Sequence, residues 1–351
     1  MAYINFQPSD FFKTVIWTGT QAEHAITGVG FSSDFTWIKA RSDVLGNYLF
    51  DTVRGATNAL ASNSGDAQFS DAQYLKSWES DGFTLGTNSA VNGTGDDVVG
   101  WNWKAGTTSG LSGGTITPSS YSINATSGFG IYKYSGTGSA GTIAHGLGAA
   151  PECVIVKKTT AVDNWWVYHL YTHSDTSTSG QYYNVFNTTD ARNTNSGAWN
   201  NTNPTSTLIH IGDGGNVNTS GQDYIMYAFA PKKGFSSFGG FKGNASTDGP
   251  FCYTGFRPAF LLVKCSSTTS GGAGNWYIFD NKRVGYNIAN YSSKANSSDA
   301  EATSTYLDLL SNGFKIRNAA ADLNGSNADM IYLAFAEFPI VSSNSKIGTA
   351  R

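Results

Sequence analysis

Five histidines, three cysteines and a few repeated carboxylates are the residues of this chain most able to do chemistry. His24, His145, His169, His173 and His210 do not fall at metal-ligand spacings. His169 and His173 are four apart, which brings two rings within reach of one metal ion in a helix but leaves them about 13 Å apart in a strand. The segment Tyr168-His169-Leu170-Tyr171-Thr172-His173 reads as strand or loop, so no metal site is expected there. No Gly-x-Ser-x-Gly elbow, phosphate loop or Cys-x-x-Cys is present. Asp51-x-x-Arg54 and Asp280-x-x-Arg283 share one spacing, which suits a structural ion pair or loop anchor. Between them in the chain, His169 takes the place of the Asp. Asp97, Asp223 and Asp329 each precede an apolar strand. They could coordinate calcium or a sugar, but a turn Asp bonded to backbone amides is the preferred reading. No carboxylate pair stands out for glycoside cleavage. The chain is therefore expected to have no catalytic residue, no metal and no cofactor, and not to be an enzyme.

Recognition by aromatic surfaces is the chemistry left over. Sugar rings present apolar faces with polar rims, which aromatic side chains can stack against. Trp165, Trp166, Tyr182, Tyr183 and Trp199 lie in or beside one long polar stretch, 172–206. Trp165 and Trp166 sit on a strand pattern that recurs elsewhere, so at least one should face a core. Tyr182, Tyr183 and Trp199 are the candidate ligand-binding residues.

These residues sit on a pattern that occurs three times. Asn92-Gly93-Thr94-Gly95-Asp96-Asp97-Val98-Val99-Gly100-Trp101-Asn102-Trp103 aligns without gaps with 218–229 and with 324–335. Phe35-Thr36-Trp37-Ile38-Lys39 matches Cys153-Val154-Ile155-Val156-Lys157 and Phe260-Leu261-Leu262-Val263-Lys264. Asn47-Tyr48-Leu49-Phe50-Asp51 matches Trp165–His169 and Trp276–Asp280. Each unit has roughly the 100 residues of a small β-sandwich. Short runs of Val, Ile, Phe, Tyr and Trp are bounded by Gly, Asn, Asp and Ser, as strands are. The Asn-Gly pairs at 92–93 and 324–325 suggest tight turns with positive φ. Helix is expected only near 70–79 and 300–310.

The expected fold class is all-β, with three tandem related β-sandwich domains of jelly-roll or lectin-like kind. The boundaries are an N-terminal arm 1–11, repeats at 12–106, 128–233 and 234–339, a Gly/Ser/Thr-rich linker 107–127, and a tail 340–351. If each sandwich stands alone, residues 1–110 should fold by themselves.

Composition narrows the function classes. Charged residues make up 13% of the chain, against about 25% in ordinary proteins. The net charge of −3 and the lack of a basic stripe argue against a nucleic-acid partner. No apolar run approaches the roughly 20 residues of a spanning helix, so no membrane insertion is expected. The N-terminus lacks a signal-peptide pattern, and Cys153, Cys252 and Cys265 are too few for a disulfide scaffold. They read as buried thiols formed in a reducing cytoplasm.

Several phrases resemble a repeated β domain found in virion proteins of marine tailed bacteriophages. They include Ile26-Thr27-Gly28-Val29-Gly30-Phe31, Tyr48-Leu49-Phe50-Asp51-Thr52-Val53-Arg54-Gly55 and Ser80-Asp81-Gly82-Phe83-Thr84-Leu85-Gly86. Ala144-His145-Gly146-Leu147-Gly148-Ala149-Ala150-Pro151 and Tyr253-Thr254-Gly255-Phe256-Arg257-Pro258-Ala259 continue the series. At Ser33 the chain departs from a common Pro, which Pro151 and Pro258 keep. The resemblance covers roughly residues 12–340. It implies a virion protein assembled in the host cytoplasm, most simply a tail-fibre or receptor-binding component. The alternatives are a capsid decoration or head-fibre protein, attached by the 1–11 arm or the 340–351 tail, and a glycan-degrading appendage enzyme. The partners implied are other virion proteins and a host surface glycan, with a homotrimer expected by analogy.

Overall fold

The computed structural model describes residues 4, 6–267, 274–283 and 287–337. The tail 340–351 lies outside them. Strand accounts for 43% of the chain and helix for 8%, so the protein is mainly β, built from several antiparallel sheets. No helix among the described residues is long and apolar enough to cross a membrane.

Each repeat builds the same main sheet. In the first, the spatial order is Phe12–Thr18, Asp97–Trp103, Phe35–Ala40, Asn47–Asp51, Asn58–Ala61. In the second it is Phe129–Ser135, Asp223–Phe229, Cys153–Lys158, Trp166–His169, Tyr182–Val185. In the third it is Ser236–Lys242, Asp329–Ala336, Pro258–Cys265, Trp276–Asp280, Ala289–Lys294. The last strand of each repeat therefore runs between the first two. Register is equivalent as well: Phe12 and Phe35 flank Trp103, Phe129 and Cys153 flank Phe229, and Ser236 and Phe260 flank Phe335.

Side chains alternate across a strand, so each main sheet has two apolar faces to bury. The outer face packs within its own repeat. In the first repeat Ile38, Phe50 and Val98 meet Ile26, Phe83 and Leu85 of a small three-stranded sheet. The second repeat uses the pair Gly141–Ala144 and Leu208–Ile211. In the third, the two layers join into one eight-stranded, nearly closed, barrel-like sheet.

The inner faces of all three sheets pack on one another. One apolar cluster holds Phe35, Trp37 and Trp101 with Phe129, Ile155 and Tyr227 and with Phe260, Ile278 and Leu333. Aromatic edges cross every boundary: Phe35 to Tyr227 at 4.7 Å, Phe229 to Phe335 at 5.7 Å and Trp103 to Phe260 at 5.3 Å. The void left at this meeting point is about 20 Å³ and apolar, about the size of one water. Phe6 and Phe11 of the N-terminal arm pack on Phe235 of the third repeat, so this part of the arm is tied down.

Several local expectations change. The pieces at 70–79 and 300–310 contain the strands Leu75–Glu79 and Ala302–Leu310. Each is hairpinned to a partner, with Trp78 opposite Phe83 and Leu309 opposite Phe314, and this pairing overrides helical propensity. The helical turns lie elsewhere, among them Ser89–Asn92, Gly215–Asn218 and Ala321–Asn324, all just before a last strand. Gly93 and Gly325 consequently have φ of −61° and −55°, not positive. The left-handed residues come two or three positions later, at Gly95, Gly221 and Asn327. The buried Asn92, Asn218 and Asn324 tie the loops together. Asn92 Nδ2 donates to Ala22 and Gly86 oxygens, and Asn218 Nδ2 to those of Ser139 and Gly212. The 107–127 stretch is folded onto the second repeat: Ser120–Asn124 pairs with Phe129–Ser135, and Thr107 bridges Ile123.

A repeat cut free would expose its inner face to water. At about 25 cal/mol per Å², that loss is large against a total stability of about 5–15 kcal/mol. Residues 1–110 alone are expected to lack a cooperative urea transition by circular dichroism, whereas the whole chain unfolds in one step. A sharp, two-state transition of the fragment would refute the shared-core account.

Candidate functional site

The chemistry-bearing residues gather at the three boundaries between repeats. Asp51 and Arg54 are buried together, with Arg54 Nε 2.5 Å from Asp51 Oδ2. The same Asp oxygen accepts the Tyr227 hydroxyl of the second repeat at 2.7 Å. Asp280 and Arg283 repeat the pair at 2.7 Å, and Asp280 Oδ2 accepts the Trp101 indole N–H of the first repeat at 3.0 Å. Between them, His169 Nε2 donates to the Tyr332 carbonyl of the third repeat, 3.1 Å away. The Tyr171 amide donates to His169 Nδ1, which fixes this tautomer. Burial lowers the His169 pKa to about 4, and an added proton would also face the Tyr171 N–H. One residue of each repeat thus reaches its neighbour's last strand, first to second, second to third, third to first.

A second set of bonds runs the other way round. Trp165 Nε1 donates to Ala61, Trp276 Nε1 to Val185, and Asn47 Nδ2 to Lys294, all backbone oxygens. Lys39, Lys157 and Lys264 follow the same sense, donating to the carbonyls of Ser298, Gly65 and Thr189. Burial lowers all three lysines to about 8. With their ammonium groups spent on carbonyls between repeats, these lysines are structural clamps.

The junction of the second and third repeats departs from the other two. There the strand Ser236–Lys242 carries Gly240, where the first and second repeats have Ile16 and Lys133 in register. A Cβ at Gly240 would lie 3.1 Å from the Tyr171 Cβ and from the Met330 oxygen. Beside this close approach lies an open cleft of about 190 Å³, walled by Tyr171, Phe241, His173 and Lys242, with Asp329 at its side. Asp329 Oδ1 meets Lys242 at 2.6 Å, and its Oδ2 meets Arg192 at 2.8 Å. Burial opposes ionisation of Asp329, but the two cations outweigh it and hold the carboxyl below its ordinary value. The Arg192 guanidinium lies 5.7 Å from the Tyr182 ring, which stacks on His173 at 4.9 Å. Bonds from Thr172 to Ser266 and from Asn184 to Thr172 pin the 172–206 insertion to the third repeat.

The candidate aromatics therefore separate. Tyr182 supports the cleft. Tyr183, one residue on and facing the other way, stacks on Trp166 at 3.8 Å. Trp199 is 1% exposed, edge-on to Tyr168, so it is core and not a surface platform. Its polar surroundings masked an apolar helical turn, Ser196–Trp199. Sequence reasoning missed Tyr171, Lys242 and Arg192; only the Gly240 departure from the repeat could have signalled them. Asp329 joins Lys242 and Arg192, Asp223 meets Lys133 and accepts from Ser135, and the Asp97 amide donates to Ser42, so the three repeated Asp residues do not share one set of partners. Among the described residues no three His, Cys, Asp or Glu side chains are grouped to hold a metal ion.

A family profile for a domain of unknown function, DUF7483, matches residues 7–339. The chain belongs to this family. No curated protein and no solved structure matches it. The family therefore shares the three-repeat span but brings no assigned site.

Two outcomes test the boundary contacts. Asp51→Ala leaves the Arg54 charge buried, so urea unfolding should show a loss of about 3–5 kcal/mol; a loss under about 1 kcal/mol would mean the pair is dispensable. For His169, the unfolded chain takes up a proton below about pH 6.5, while the folded ring stays neutral until about pH 4. Stability should fall as pH drops through that window. His169→Gln should flatten this part of the pH profile of the melting temperature, and an unchanged slope would contradict the assignment.

Proposed function

We propose that this chain is a non-enzymatic structural protein of a tailed-phage virion, most simply a tail-fibre or receptor-binding component that contacts a host surface glycan. In this reading each repeat is a β-sandwich of jelly-roll or lectin-like kind, and the partners are other virion proteins. A homotrimer stays part of it by analogy, although three related sheets already meet within one chain. The ordered run of motifs over roughly residues 12–340 supports the virion part. The observation that carries the receptor part is the cleft at the junction of the second and third repeats. It lies on the longest insertion and at the place where the threefold pattern is broken. Internal repeats that keep a common core and differ in one concave, polar-and-aromatic junction have a natural site for recognition.

The threefold arrangement of sheets favours a second reading, a capsid decoration protein seated on a threefold position. Antibody-gold labelling of intact phage particles, viewed by electron microscopy, separates the two. Label at the tail is the expected result. Label spread over the head would replace the receptor reading with decoration, and absence of label from purified particles would overturn the virion assignment altogether.

A further inference from the structure

Resting on the receptor reading, we infer that the Tyr171–Lys242 cleft takes a neutral pyranose at the end of a glycan chain, not an acidic or cationic sugar. Charge balance makes the distinction. Lys242 and Arg192 are set against Asp329, and Asp175 lies directly after the His173 wall, its amide donating to His173 Nδ1 at 3.1 Å. Asp175 is exposed and held ionised by the Ser177 hydroxyl and amide. The two cations thus face Asp329 and Asp175, and no excess positive charge remains to draw a uronate or sulfate.

The walls suit a sugar ring in other respects. Tyr171 is half-buried and offers apolar surface to the C–H face of a pyranose, while the Phe241 ring is turned to the third repeat's own core against Phe314. Lys242 is half-exposed and has donors beyond the one spent on Asp329, so it can serve a hydroxyl rim. Ser174 and Thr176 add hydroxyls at the edge. The volume of about 190 Å³ falls below the roughly 300–1,000 Å³ of drug-sized pockets. That suits one terminal ring and not a threaded chain. The walls are also held before any ligand arrives, by the Arg192–Asp329 pair and the Thr172–Ser266 bond. Preorganisation of this kind reduces the entropy lost on binding.

The test uses the whole chain and saturation-transfer NMR with glucose, galactose and mannose, beside glucuronate and glucosamine. The expected result is saturable binding of a neutral sugar, with Kd in the mM range. His173→Ala and Lys242→Met should each weaken it by about tenfold or more while the protein still melts in one cooperative transition. Gly240→Val, whose side chain would push the Tyr171 wall out of place, should abolish it. Val162→Ser, on a loop outside the cleft, should leave binding unchanged. Tighter binding of glucuronate or glucosamine than of any neutral sugar would overturn the ligand class. No saturable binding, or binding indifferent to His173, Lys242 and Gly240 together, would overturn the site. Neither failure touches the particle location, which gold labelling decides independently.

Discussion

Everything in this molecule depends on three sheets sharing one apolar interior. A twisted sheet with two apolar faces needs cover on both, and each repeat supplies only the outer cover from its own chain. The inner cover is the other two repeats. Phe35 against Tyr227, Phe229 against Phe335 and Trp103 against Phe260 are contacts that no single repeat can make. The low charge content follows from the same geometry, because an unusual share of each unit faces protein and not water. So does the connection between the first and second repeats, which is laid onto the second repeat as an added strand and does not swing as a tether.

Apolar packing alone would not fix which sheet meets which, since the three inner faces are alike. The buried polar contacts do. Asp51 needs the Tyr227 hydroxyl, His169 needs the Tyr332 carbonyl and Asp280 needs the Trp101 indole. Tyr227 and Trp101 hold one shared repeat position, which is Leu333 in the third repeat, and His169 turns instead to the carbonyl just before it, so an exchange of neighbours would strand a buried charge or a buried ring nitrogen. Such groups add little net stability compared with apolar substitutes, but an unpaired one costs several kcal/mol. Their use here is specificity of arrangement, the role that single polar residues have in fixing coiled-coil register. The lysine clamps work in the opposite rotational sense, so each boundary is fastened from both of its sides.

Strand positions and the threefold repeat were legible because apolar alternation and gapless matches depend on local sequence. The Asp51–Arg54 and Asp280–Arg283 pairs were legible as ion pairs, because spacing alone places them together. Their partners Tyr227 and Trp101 were not, since those contacts join residues more than 170 positions apart. The same limit hid the shared core. A strand pattern says that two faces are apolar, not whose apolar face will cover them. Trp199 was misplaced for a related reason: a polar run of Asn, Ser and Thr reads as surface, yet a four-residue helical turn within it can bury one large ring. Asn92-Gly93 and Asn324-Gly325 read as turns but close a helical turn, because the Asn side chain is drawn inward to bond the loop carbonyls.

The repeat itself is a guide to where function can sit. Positions alike in all three units, such as Lys39, Lys157 and Lys264, are accounted for by the common assembly problem that each unit must solve. A function exercised once per molecule must therefore use positions where one unit differs. Exposed differences are cheap and numerous, and most need no explanation. Gly240 is a different case, because it lies on a main-sheet strand at a boundary where its counterparts are Ile16 and Lys133. The missing side chain lets Tyr171 lie close against the strand, where a Cβ would come 3.1 Å from its Cβ, and the 172–206 insertion leaves the neighbouring cleft open. It instead brings Arg192 and Tyr182 to the rim and braces them through Thr172 and Ser266. A cleft that borders this close approach and is buttressed from another segment rests on two separate departures from the repeat. Relaxed packing would explain the first of these, but not the second.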